Sequence, residues 1–119
     1  MGCGASTDGT PGQFKNGTPK VQGTFHPLFP EGECFRIVAN EGHEWHFYND
    51  TTTYQMKIKY TFGSDSQLEP MGGHVSLEKK ADGTYVATMT VPPLQTMSFV
   101  RGVVNGFESD VIAVPVSTN

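Results

Sequence analysis

Near the middle of the chain, Tyr54, Met56, Ile58, Tyr60 and Phe62 alternate strictly with Gln55, Lys57, Lys59 and Thr61. A period of two sends one set to each face of an extended strand. The segment therefore reads as an antiparallel strand with one dry face and one wet face. Each side chain buried on the dry face contributes about 1.5 to 3 kcal/mol.

The same reading picks out Cys34 to Ala39, Glu44 to Tyr48, Val75 to Lys79, Tyr85 to Val91, Thr96 to Val104 and Phe107 to Val116, the last with an expected break near Ser109-Asp110. Turn chemistry separates them. Glu41-Gly42 joins the first two, Ala81-Asp82-Gly83 precedes Tyr85, and Asn105-Gly106 between Val104 and Phe107 predicts a type I′ hairpin. Pro115 cannot donate to a ladder and suits an edge strand or a strand end. Fourteen Gly and eight Pro leave no room for a long helix. The expected fold is all-β, an antiparallel β-sandwich of about seven or eight strands with a disordered N-terminal tail. Gly63 to His74 is read as a long connection between the sheets.

Residues 1–20 are rich in Gly, Ser, Thr and Pro, with Phe14 their one large apolar side chain. Such a composition does not offset its ordering entropy, so 1–20 is expected to be a flexible tether and 21–119 the folded domain. The tether begins Met1-Gly2-Cys3-Gly4-Ala5-Ser6. That matches the N-myristoylation pattern, in which Met1 is removed and the Gly2 amine is acylated. One myristoyl chain holds a bilayer weakly, so stable anchoring needs a second signal. Cys3, beside the acylated glycine, supplies it as an S-palmitoylation site. A basic patch is nearly absent, because the first twenty residues hold only Lys15 and Lys20 against Asp8.

At 119 residues the chain makes one domain. Twelve acidic against eight basic residues give a net charge of −4, which argues against a nucleic-acid partner. Two cysteines, Cys3 and Cys34, are no disulfide framework and are read as reduced thiols of a cytosolic compartment. No apolar run suffices to span a bilayer and no signal-peptide core follows Met1. The sequons at Asn16 and Asn49 conflict with a cytosolic address and are expected to be unmodified.

Catalytic and metal chemistry find little support. Cys34 falls at a strand start, where an ordinary buried thiol is expected. His43 and His46 lack a zinc spacing, and residues three apart on a strand face opposite ways. His26 and His74 read as loop residues. Asp50, Asp65, Asp82 and Asp110 each sit at a turn beside Asn, Ser or Gly, where Asp serves the backbone rather than calcium. No phosphate loop is present. No catalytic residue, metal or cofactor is expected.

The acylated terminus, the run Trp45-His46-Phe47-Tyr48-Asn49-Asp50-Thr51 with Phe62-Gly63, and Val91-Pro92-Pro93-Leu94-Gln95-Thr96 through Phe107 resemble the small kinetoplastid calpain-related proteins. The resemblance covers most of residues 25–116. It implies a calpain-related domain without a protease domain, dual acylation at Gly2 and Cys3, and residence on the inner leaflet of the plasma membrane, including that of the flagellum. The expected function is a non-catalytic protein that organises membrane or recruits an unidentified protein partner. Two alternatives stand beside it, a sandwich that itself binds lipid or an apolar ligand, and a hydrolase centred on Cys34.

Overall fold

A computed structural model describes residues 14–30 and 32–116. It contains nine strands: β1 (Thr24–Pro27), β2 (Cys34–Ala39), β3 (Glu44–Asn49), β4 (Tyr54–Phe62), β5 (Gln67–Pro70), β6 (Ser76–Lys79), β7 (Tyr85–Val91), β8 (Thr96–Val103) and β9 (Phe107–Pro115). They form two antiparallel sheets, β1-β2-β3-β8-β5 and β6-β7-β4-β9. The expected sandwich is present, with two strands more than the seven segments picked out. β1 is only four residues long, and β5 lies inside the connection expected over Gly63 to His74, where Gln67 to Pro70 pair with Val103 to Val100.

The alternating strand follows its pattern from Met56 onward, whereas Tyr54, expected on the dry face, is exposed at the strand's start. Met56, Ile58, Tyr60 and Phe62 are buried, while Lys57 and Lys59 are exposed. Opposite them lie Trp45, Phe47 and Phe99, and edge-to-face rings dominate the layer between the sheets, such as Phe47–Phe99 with centroids 5.1 Å apart and Trp45–Tyr60 at 5.5 Å. Each such aromatic pair adds about 0.5 to 1.5 kcal/mol beyond its burial. The β3–β8 register slips between Trp45 and His46, so that Trp45 faces Val100 and His46 faces Ser98. The extra residue, Phe99, turns into the core beside Val100, and both are fully buried.

Two expectations about β9 and its entry are corrected. Asn105-Gly106 does not close a hairpin, because β8 and β9 belong to different sheets. It crosses between them, resting on Gly63, whose amide donates to Gly106 O at 3.1 Å. A Cβ on Gly63 would lie 2.2 Å from Asn105 O, so this close approach needs glycine. The break near Ser109-Asp110 is absent, since β9 pairs with β4 continuously from Phe107 to Pro115. Exposed polar side chains there reflect a sheet edge rather than a turn. Pro115 ends that edge strand, as anticipated.

β2 and β3 also depart from simple alternation, with Cys34, Phe35 and Ile37 buried and every residue from Trp45 to Asn49 buried. The first sheet is covered on both faces, which removes the wet side that alternation assumes. Its inner face meets the second sheet. Its outer face carries a smaller core of Phe25, Phe35, Ile37 and Tyr48, packed against Phe14 and Val21. Residues 14–20, expected to belong to the tether, are thus part of the packed body from Phe14 onward.

Candidate functional site

The two lipidation candidates, Gly2 and Cys3, lie outside the described residues. The nearest part of that terminus is a strap over the outer face of the first sheet. Phe14 inserts its ring edge-on among Phe25, Phe35 and Tyr48, with centroids at 5.4, 5.0 and 5.7 Å. The next residues converge on one carboxylate. Asp50 Oδ2 accepts from the Lys15 amide at 2.7 Å, and Oδ1 accepts from the amides of Asn16 and Gly17 at 3.1 Å and from the Tyr48 hydroxyl at 2.9 Å. The Asn16 side chain adds a bond to Asp50 O at 2.7 Å.

Asp50 is buried, and its negative charge is met by these donors, which is what a desolvated carboxylate requires. Burial, reinforced by the neighbouring carboxylate, pushes the Tyr48 phenol well above its ordinary pKa, so it remains a donor. A Cβ on Gly17 would meet the Tyr48 hydroxyl at 2.5 Å. Farther along, the Lys20 amide donates to Thr96 Oγ1 at 3.0 Å. The terminus is therefore rooted on Phe14, Asp50 and Tyr48.

The residue before Asp50 is also fully bonded. Asn49 is fully buried, donating to Tyr54 O at 2.7 Å and Val91 O at 3.0 Å, while its Oδ1 accepts from the Thr51 amide at 3.0 Å and the Thr51 hydroxyl at 2.8 Å. The Asn-Asp-Thr run thus ties β3 to β4, β7 and the strap at one end of the sandwich. Its Asn49 amide is inaccessible to a glycan in the folded protein.

A second feature is an open groove of about 710 Å³ on the outer face of the second sheet. The wet face of β4 forms its middle. Lys59 stands opposite Thr88 on one side and Asp110 on the other, and Lys57 opposite Thr90 and Ile112. Ser76 extends the row beyond Thr88. The ion pairs among the described residues are His46–Glu44, Lys80–Glu78 and Arg101–Glu69, none of which engages Lys57 or Lys59.

Other singled-out residues are dispersed. Cys34 is fully buried, and burial pushes its thiol up to about 12, which removes the thiolate that nucleophilic attack needs. His46 is buried with Nδ1 3.0 Å from Ser98 Oγ and Nε2 3.3 Å from Glu44 Oε1, whereas His43 is exposed beside Asn40 O at 3.2 Å. His74 Nε2 lies 2.6 Å from Ser98 O. His26, expected in a loop, is in β1, where burial and the nearby Arg36 charge lower its pKa. Asp82 serves its turn, accepting from the Thr84 amide at 3.0 Å. Asp50 does not serve a simple turn; it is the strap's anchor. Among the described residues no three His, Cys, Asp or Glu side chains are grouped to hold a metal ion.

A family profile described as a domain of unknown function, DUF1935, matches residues 14–116, beginning at the first residue of the strap. The chain belongs to the DUF1935 family. Two solved structures are similar to this DUF1935 chain. One is the NMR structure of the small myristoylated protein SMP-1 from Leishmania major, 38% identical, covering 98% of this chain and 91% of its own, with a TM-score of 0.83. The other is a Leishmania major hypothetical protein, 34% identical, covering 88% of this chain and 94% of its own, with a TM-score of 0.78. None of the curated proteins matches it.

Proposed function

We propose that this DUF1935 protein is a dually acylated, non-catalytic module at the cytoplasmic face of the plasma membrane, where it organises the membrane or recruits a protein partner. The observation that carries this reading is the acylation pattern at Gly2 and Cys3 in a chain that is similar, over 98% of its length, to a small myristoylated protein. Myristate on Gly2 supplies reversible binding, and a thioester on Cys3 supplies the second chain that stable residence needs. The resemblance to calpain-related proteins, and the flagellar membrane that it implies, belong to the same proposal. A buried, protonated Cys34 supports the absence of thiol catalysis.

The strap supports an anchoring role physically. It joins the acylated end to the sandwich through a packed ring and a buried carboxylate, so a pull on the lipid is borne by the folded body at Asp50. Cell fractionation of wild type, Gly2→Ala and Cys3→Ser tests the anchor. Wild type is expected in the membrane fraction, Gly2→Ala in the soluble fraction, and Cys3→Ser divided between them. Soluble wild type, or membrane-bound Gly2→Ala, overturns the proposal.

A second reading, in which the sandwich itself takes a ligand, is favoured by the groove on the second sheet. The ligand expected from the sequence was lipid or an apolar molecule. The groove joins the apolar Ile58, Val75, Met89 and Ile112 to the exposed Lys57 and Lys59 and the hydroxyls of Ser76, Thr88 and Thr90, which suits a ligand with both apolar and polar parts.

A further inference from the structure

We infer that the outer groove of the second sheet is a binding site for a phosphorylated, hydroxyl-rich headgroup, centred on Lys57 and Lys59. This deepens the second reading above and is independent of acylation.

Residues two apart on a strand share a face and are separated by about 6.5 Å along it. Lys57 and Lys59 therefore root two exposed cationic side chains side by side on β4. Neither belongs to an ion pair among the described residues. That backbone spacing lets their flexible stems bring the two charges to neighbouring phosphates on one sugar or cyclitol ring. An ammonium on a flexible stem meets phosphate as a point charge and tolerates such variation.

The rest of the groove is mixed: Ile58, Val75, Met89 and Ile112 offer apolar surface to the C–H face of a ring, and hydroxyls stand beside the lysines. Thr88 and Thr90 face the lysines across the β4–β7 ladder, and Ser76 follows on β6. Three hydroxyls on adjacent strands present donors and acceptors to ring hydroxyls. Asp110 stands opposite Lys59 on β9, so the lining is only modestly cationic. That carboxylate sets a sign. It repels a phosphate, and its removal strengthens binding. The volume of about 710 Å³ falls within the range of small-molecule sites. The whole chain carries −4, so attraction of an anion to this face is local rather than a property of the molecule.

The headgroup could be carried by a lipid or be free in solution. A terminus whose acylated residue is twelve positions before the strap reaches at most about 40 Å when fully extended. That exceeds the thickness of two packed sheets, so either source can meet the groove.

The test uses the unacylated full chain, with amide NMR shifts followed during titration with inositol trisphosphate and, separately, inorganic phosphate. Vesicles of phosphatidylcholine with and without a small fraction of phosphatidylinositol bisphosphate form the second arm. Shifts confined to Lys57, Lys59, Thr88 and Thr90 are expected with inositol trisphosphate. Lys57→Gln with Lys59→Gln should weaken binding at least about tenfold, equivalent to about 1.4 kcal/mol. Asp110→Asn should tighten it, a gain that loss of folding cannot imitate.

Binding to the soluble probe alone assigns a free ligand; binding that strengthens on bisphosphate vesicles assigns a lipid headgroup. Either supports the site. No shift at millimolar inositol trisphosphate, identical shifts with inorganic phosphate at equal concentration (an adventitious ion only), or affinity indifferent to the lysine substitutions overturns it. Failure of the Gly2 and Cys3 fractionation leaves these readouts untouched.

Discussion

Removing the Asp50 carboxylate should release the strap and leave the sandwich folded. In the native protein four donors meet this group, the amides of Lys15, Asn16 and Gly17 and the hydroxyl of Tyr48. A hydrogen bond to a charged acceptor contributes about 1.5 to 3 kcal/mol. Four such bonds do not add fully, because a lifted strap regains water at its amides and Asp50 no longer needs desolvation. We expect Asp50→Ala to cost about 3 kcal/mol overall, near 10–20 °C in Tm for a domain of this size. Phe14→Ala removes a half-buried ring from three aromatic neighbours and should cost about 2–3 kcal/mol, below the fully buried range. The two act on one segment. Their double mutant should therefore fall short of additivity by about 1 kcal/mol or more, measured by urea unfolding. Hydrogen exchange supplies the local readout: the amides of Lys15, Asn16 and Gly17 are protected in wild type and exposed in Asp50→Ala. A Tm change below about 2 °C, or strict additivity with Phe14→Ala, would refute the latch.

Other expectations concern separate groups. Cys34 should resist an aromatic disulfide reagent at pH 8, where a pKa of about 12 leaves about one molecule in ten thousand as thiolate, and should react at once in denaturant. His26 has its pKa lowered below the ordinary 6.5 by burial and by Arg36, so the unfolded chain takes the proton more readily. Its contribution to stability is present above pH 6.5 and is lost as pH falls below that, and His26→Gln should flatten the acid side of a stability curve. Gly63→Ala places a methyl 2.2 Å from Asn105 O and should cost about 1–3 kcal/mol in thermal unfolding, through a shift of the crossover. Wild-type stability in that variant would contradict the reading of this contact.

The second sheet was legible because its outer side is solvated. β4, β6 and β7 alternate or nearly so, and their limits fall within a residue of those read from periodicity. In the first sheet β2, β3 and β8 also fall within a residue of the segments read, but the two-sided burial of β2 and β3 was not legible, because it depends on cover by the opposite sheet and by the strap. β1 and β5 are four-residue strands containing or ending in proline, too short for a period to show.

Asn105-Gly106 carried a genuine local hairpin signal, but the close contact at Gly63 redirects the chain to the other sheet. The latch was missed because Asp50 resembles any turn aspartate until Phe14 is placed. Phe14, the lone large apolar residue in a polar stretch, was the available clue that packing begins before residue 20. The groove was half legible: the wet face of β4 was evident, yet its neighbours across the sheet depend on strand order, which periodicity does not supply.

The central claim is chemical, two acyl chains on the first residues of a module that performs no reaction. Mass spectrometry of the N-terminal peptide from protein purified out of its native cell addresses it directly. The account predicts a peptide lacking Met1, with a hydroxylamine-resistant myristoyl group on Gly2 and a hydroxylamine-labile palmitoyl group on Cys3. A peptide retaining Met1, or beginning with a free Gly2 amine, would contradict it.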